Sequence, residues 1–285
     1  MFKSVRNRVW AFDVEWVPDP LAGKLVHELP EDMTDEEVIS EMWKKGGADE
    51  ENPRPFLKTI LCRVVSLSLV SRTEHESGDA SVSLHSIPSI GEQSEENRRE
   101  SHIVGVFLRG VGEKKPQVVG YNSVRADLKI LVQRAIVNGL SIPDFARRPD
   151  KPWDGADYFS SASEWNVDMM QIVGGGRSTP SLNELARLSG VPGKMGGVSG
   201  NEVAPMWLEG RIDDIVRYNE FDALTTYLLW LRFAHFGGFF DKGDYVKEQQ
   251  LVKNMIEEEV AKGRSHLAEY MKEWERLQKA LLQNS

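Results

Sequence analysis

Apolar and acidic residues interleave along residues 9 to 17. Trp10, Phe12, Val14 and Trp16 fall on one parity, and Val9, Ala11, Asp13, Glu15 and Val17 fall on the other. A period of two marks a strand and puts Asp13 and Glu15 on one face. That face is otherwise apolar, so the strand reads as central and covered on both sides. Pro18 and Pro20 end it, and an acid-rich, partly helical insertion over about residues 18 to 55 follows, expected at the periphery of the fold. Residues 60 to 71 and 81 to 87 are two further β-rich runs around a polar turn holding Gly78 and Asp79, the signature of an antiparallel hairpin. The polar stretch 94 to 100 reads as a loop leading to a helix near residues 102 to 108. Residues 117 to 121 then read as a short buried strand.

Helical spacing takes over at Asp127. Leu128, Leu131, Val132, Ala135 and Ile136 recur at i, i+3, i+4, i+7 and i+8, and Gly139 is placed to stop the helix. Residues 143 to 165 form a surface excursion, and residues 166 to 172 another strand. Ser181 and Glu184 have capping-box spacing before a short helix that Gly190 ends. After the glycine-rich loop 193 to 200, residues 213 to 235 form a long helix closed by Gly237 and Gly238. The tail from Tyr245 is helical, with Leu267, Tyr270, Trp274, Leu277 and Leu281 on one stripe. Antiparallel strands first, alternating strands and helices next and helices last predict an α/β fold: a mixed sheet flanked by helices. The expected division is one domain over residues 1 to 240 and a C-terminal helical extension over 241 to 285.

Composition narrows the class. Hydrophobic residues are 40% of 285, enough for a sizeable core. Cys62, the single cysteine, excludes an intrachain disulfide and a thiolate metal cluster, and its apolar surroundings predict a buried, inert thiol. The six histidines are scattered without a close ligand pair, which argues against zinc. No apolar stretch of signal-peptide length precedes residue 12, and the most apolar run, 227 to 240, is too short for a membrane span and holds Arg232 and His235. A cytoplasmic protein with no membrane partner is therefore expected. The formal charge of −9 disfavours a nucleic-acid partner at first sight. However, between residues 28 and 51 ten acidic residues stand against Lys44 and Lys45, a local charge of −8, so the remainder is nearly neutral and has room for a basic groove.

Four carboxylates are candidates for chemistry: Asp13 and Glu15 on the first strand, Asp127 in a first helical turn, and Asp222 on the long helix one turn after Tyr218. Each has a plain structural explanation: solvated strand acids, a helix-dipole acid, an ordinary half-buried helix face. Bulky apolar neighbours weaken the first, because buried carboxylates are costly unless paired or bound to metal. Together they supply the oxygen donors that hard divalent cations prefer, and two such ions can support phosphoryl displacement, with a phenol beside them orienting water. Other motifs fail: around GVPGKMGG, Leu188 and Met195 break the phosphate-loop pattern, and Thr179 breaks the dinucleotide fingerprint after Gly174 to Gly176. A flexible surface loop is the plain reading there, with Lys194 a candidate for touching a substrate phosphate.

Asp-x-Glu on a first strand, Asn122 five residues before Asp127 at a helix start, and the Tyr-x-x-x-Asp of Tyr218 and Asp222 resemble the motifs of the DEDD 3′-5′ exonucleases, tyrosine subclass (DEDDy). The segments VDMMQIV, SLNELARLSGVPGK and YNEFDALTTYLLWLRF are similar to stand-alone predicted exonucleases related to the proofreading domain of family B DNA polymerases. The resemblance covers roughly residues 8 to 236. It implies a ribonuclease H-like fold and two divalent metal ions, Mg²⁺ or Mn²⁺. Asp13, Glu15 and Asp222 would hold one, Asp13 and Asp127 the other, and Tyr218 would position the hydrolytic water. Arg217 stands where the histidine subclass has its base, which favours the tyrosine assignment. Ala126 departs from the family, which often has an aromatic there, and this bears on substrate fit.

The expected activity is metal-dependent 3′-5′ exonucleolytic hydrolysis at single-stranded nucleic-acid ends, DNA before RNA, releasing 5′-monophosphates. Asn122 and Lys194 are the candidate substrate contacts. The alternatives are an inert nucleic-acid-binding scaffold with the same fold, whose signature would be loss of a ligand, and an RNA-directed exonuclease, which would share every catalytic residue.

Overall fold

The computed structural model describes residues 2–151, 153–160, 163–174, 176–195 and 200–283; Gly175 and residues 196 to 199 of the glycine-rich loop lie outside the described residues. The chain runs β1 (Arg8–Pro18), α1 (Pro20–His27), α2 (Asp35–Lys45), β2 (Cys62–Glu74), β3 (Ala80–Ile87), α3 (Glu95–Arg98), α4 (Glu100–Lys114), β4 (Gln117–Gly120), α5 (Asp127–Val137), α6 (Pro143–Ala146), β5 (Asn166–Asp168), α7 (Met169–Val173), α8 (Leu182–Leu188), α9 (Val203–Leu208), α10 (Ile212–Phe236), α11 (Lys242–Ala261) and α12 (His266–Leu282). The sheet order is β3-β2-β1-β4-β5. β1 pairs antiparallel with β2 and β2 with β3, whereas β1, β4 and β5 are parallel, so only β2 runs against the others. This is the ribonuclease H-like mixed sheet.

β1 is the central strand that its alternation predicts. Val9 and Ala11 join the core under α10, while Phe12 and Val14 join a second core under α4 and α5. The first core also takes Val252 and Ile256 of α11 and Leu267, Tyr270 and Trp274 of α12, all buried. A buried ion pair ties α11 to the sheet, with Arg72 of β2 reaching Glu248 at 2.6 Å. A register shift opposite Glu15 and Trp16 leaves Val65 of β2 as an extra residue. Val65 turns with Val17 toward a third cluster at the end of the sheet, formed with Val203, Ile215 and Tyr218.

Three local expectations change. The strand expected over 166 to 172 stops at Asp168, whose side chain accepts the Met170 N–H at 3.1 Å and starts a helix instead. The polar stretch 94 to 100 is helical rather than loop: Ser94 caps α3, and Glu100 opens α4 while buried against Arg134 at 2.7 Å and the Val64 N–H at 2.7 Å. The acidic insertion is more firmly docked than a peripheral segment. Val38, Ile39 and Met42 of α2 are buried in a small core within the insertion, while Trp43 packs on the third cluster and Asp19 pairs with Arg134 of α5 at 2.7 Å. Cys62 is buried, and desolvation pushes its thiol up to about 12, in keeping with an inert core residue.

Candidate metal and nuclease site

β4 is short: its pairing with β1 ends at Ala11 opposite Val119, so β1 runs on unflanked by β4 through Asp13, Val14 and Glu15. The chain leaving β4 makes a tight turn, with Asn122 at φ 67°, a left-handed conformation that asparagine tolerates. Asp168 at the end of β5 fixes this turn, accepting the Asn122 N–H at 2.8 Å and the Val124 N–H at 3.1 Å. The turn delivers Asp127 to the first position of α5, buried, with the Val14 backbone amide helping to hold its carboxylate. From the other side, α10 lies across β1 and β2 and carries Tyr218, Asn219 and Asp222 inward, all buried.

Carboxylate oxygens of Asp13, Glu15 and Asp222 come within 4.8 Å of one another, a grouping that could hold a metal ion. Asp127 is not part of that tight group but lies close enough to raise the pKa of Asp13. Burial is the largest cause of the upward shifts in all four, and repulsion from neighbouring acids adds to it at Asp13, Glu15 and Asp127. Asp13 and Glu15 are held well above the usual carboxylate range, Asp127 is pushed up to about 7, and Asp222 to about 6. One oxygen of Asp222, Oδ1, is buried with no hydrogen-bond partner among the described residues. A buried, unsatisfied carboxylate oxygen is expensive, and a cation is the natural group to satisfy it. The all-oxygen donor set fits a hard divalent ion rather than zinc.

The phenol of Tyr218 faces Asp222, lowering that carboxyl's pKa. Burial and the surrounding acids push the phenol itself far up, so it keeps its proton across the neutral range. Lys194 is exposed, with its ammonium 5.8 Å from the centre of the Tyr218 ring, and its charge pulls down the pKa values of Asp13, Glu15 and Asp222. Its placement depends on Gly193, which has φ +72° and would bring a Cβ to 2.6 Å from Asn183 Oδ1. Asn183 also accepts the Lys194 N–H at 3.0 Å, and its helix α8 begins with the expected Ser181 and Glu184 capping box. Asn122 lines a cavity of about 190 Å³ with Arg125, Met170 and Gln171. Arg217 turns away to pair with Asp214 at 2.7 Å.

Two residues at the site escaped the sequence reading. Asn219 donates from Nδ2 to Asp13 Oδ2 at 2.7 Å and accepts from the Ser66 hydroxyl at 3.1 Å, which orients Asp13 from within the core. Its only sequence signal is its place after Tyr218. Asp168, inside VDMM, clamps the turn before Asp127. The neighbouring Glu220 serves structure: it accepts from Ser86 at 2.6 Å and meets His266 at 2.7 Å and Arg264 at 3.3 Å, which joins α10 to the start of α12.

The fold and site define a ribonuclease H-like protein with a carboxylate cluster able to hold a metal ion. Residues 54–274 match the family described as predicted 3′-5′ exonucleases related to the exonuclease domain of PolB, and the chain belongs to that family. The match starts downstream of Asp13 and Glu15 and extends through α11 into α12, beyond the reach of the motifs. Among solved structures, the chain is similar to the family B DNA polymerase from the hyperthermophilic archaeon Pyrobaculum calidifontis, with 19% identity and a TM-score of 0.45. That similarity covers 78% of this chain and 24% of the polymerase, so the chain spans about a quarter of the length of that relative. No curated protein matches the chain by sequence. Among the described residues, no helix is long and apolar enough to cross a membrane.

Proposed function

We propose that this protein is a metal-dependent 3′-5′ exonuclease that hydrolyses phosphodiester bonds at single-stranded nucleic-acid ends, DNA in preference to RNA, and releases 5′-monophosphates. The observation that carries the reading is the meeting of Asp13, Glu15 and Asp222 within 4.8 Å, where Asp222 keeps a buried oxygen with no hydrogen-bond partner among the described residues. Asp13, Glu15 and Asp222 would hold one divalent ion, Mg²⁺ or Mn²⁺, and Asp13 with Asp127 a second. Such ions supply positive charge that makes water a better nucleophile and stabilises the departing oxygen.

The chain's own residues do the rest. Tyr218 stays protonated, so it orients the attacking water by hydrogen bonding and does not serve as the base. Lys194, set opposite the acids, offers a cation to the terminal phosphate. Asn122 and Arg125, on the turn that leads into Asp127, line a small cavity suited to the sugar-phosphate of the last nucleotide. The presence of all four acids and the tyrosine weighs against an inert scaffold.

Incubation with 5′-labelled single-stranded DNA and RNA, with Mg²⁺, Mn²⁺ or chelator, tests the proposal. Stepwise shortening that stops with chelator is expected. In Asp13→Ala it should slow by at least about three orders of magnitude, since a metal-site ligand supports several kcal/mol of transition-state stabilisation. Binding of both polymers without degradation would favour the scaffold, and the ratio of rates decides between DNA and RNA.

A further inference from the structure

A groove runs along the outer flank of α5. Leu128 and Val132, four residues apart and so on one side of α5, line a cavity of about 380 Å³ together with Val124 of the preceding turn and with Tyr158 and Phe159 of the surface excursion. The cavity falls in the range of pockets that take organic ligands, roughly 300 to 1,000 Å³. It starts at the catalytic end of the sheet: Leu128 follows Asp127, and Gln171 lines both this groove and the smaller cavity at Asn122.

Phe159 is 41% exposed and fixed in place. Its ring leans on Phe145 at 5.2 Å, and Phe145 stacks on Tyr158 at 5.5 Å. Beneath it, Asp157 Oδ1 accepts the N–H groups of Phe159 and Ser160 at 3.0 and 3.2 Å, while Arg148 holds the same carboxylate at 3.0 Å. An open aromatic face is thereby presented at little ordering cost. Lys129 is exposed at the rim and forms no ion pair among the described residues. Gln133, Asn166 and Gln171 add amides around an apolar floor.

We propose that this groove is an upstream subsite that takes one unpaired base of the single strand, stacked on Phe159, with the adjoining phosphate at Lys129. A flat apolar wall, a cation and a rim of amides match a base's π-face, its phosphate and its polar edge, and a stacking site of this kind tolerates any base. A paired base cannot enter, so the groove selects for single strands. The assignment rests on the exonuclease reading and extends it beyond the terminal nucleotide.

The test uses the full chain, wild type against Phe159→Leu, which keeps apolar packing on Phe145, and Lys129→Glu on the surface. Two readouts are needed: anisotropy with fluorescein-labelled oligothymidylate in chelator, where nothing is cut, and kcat/KM in Mn²⁺ on a trimer and on a twelve-mer. Each variant is expected to bind the long oligonucleotide about tenfold more weakly, and the twelve-mer to trimer ratio of kcat/KM should fall about tenfold, chiefly through KM. If wild type binds and degrades the strand and both variants keep its affinity and its length preference, the subsite is wrong while the exonuclease reading stands. If wild type neither binds nor cuts, both are wrong.

Discussion

Asn219 shows how much a single amide can govern. With Nδ2 on Asp13 Oδ2 and Oδ1 on the Ser66 hydroxyl, it ties one oxygen of Asp13 to the core. Asn219→Ala removes the donor and leaves half-buried Asp13 and the buried Ser66 hydroxyl without it. Titration with Mn²⁺ should show affinity about 10- to 100-fold weaker, the usual consequence of losing a residue that orients a metal ligand, and unchanged affinity would deny Asn219 that part. The four raised carboxyls make a second prediction. Between the ordinary value near 3.8 and the folded values of about 6 and 7 at Asp222 and Asp127, the metal-free fold holds protons that the unfolded chain has released. Their contribution to stability is therefore largest on the acid side and declines as pH rises through those values. A divalent cation binds the ionised forms, so the rise in Tm on adding Mn²⁺ should be larger at about pH 8 than at about pH 5.5. Calorimetry giving equal increments at both would contradict it. The acidic residues were legible because strand parity and helical spacing are local signals. Asn219 and Asp168 were not, because their partners arrive from strands and turns 44 to 206 residues distant along the chain.

At the scale of elements, the patterns that foretold β1, the hairpin β2–β3, α5 and α10 were those with long, regular burial. Two of the failures, at residues 94 to 100 and 166 to 172, share one cause: a polar side chain whose tertiary partner overrides its local preference. Glu100 reads as loop until Arg134 and the Val64 amide are beside it. Asp168 ends a strand because it serves three backbone amides at once. The C-terminal stripe was legible as a helix, but its target was not. α12 buries Tyr270 and Trp274 against α10, where Tyr270 stacks on Phe221 and meets the Thr225 hydroxyl at 3.0 Å. Trp274→Ala should therefore cost about 3 to 5 kcal/mol in chemical denaturation, as for a large core aromatic. Activity at low temperature should fall less than stability does, because Trp274 is not among the acids or their partners. A loss below about 1 kcal/mol would mark α12 as loosely attached.

At the scale of the whole molecule, the carboxylates come from a strand, a helix start and a helix interior that only the closed sheet brings together. The net charge of −9 does not oppose a polyanionic substrate outright, because Lys194 lies close enough to the acidic centre to lower the pKa values of Asp13, Glu15 and Asp222, while many of the acids are on α2 and its flanks. The central position of β1 also bears on how the protein can be handled in the laboratory. A recombinant fragment begun downstream of Pro18 would lose both Asp13 and Glu15. It would also leave β2 and β4 with open edges facing a vacated slot between two apolar layers. Unpaired edges of that kind recruit strands from other molecules. Such a fragment should form aggregates in light scattering, and adding back a synthetic peptide of residues 8–18 should reduce them, the first strand acting as a missing stave returned to its barrel.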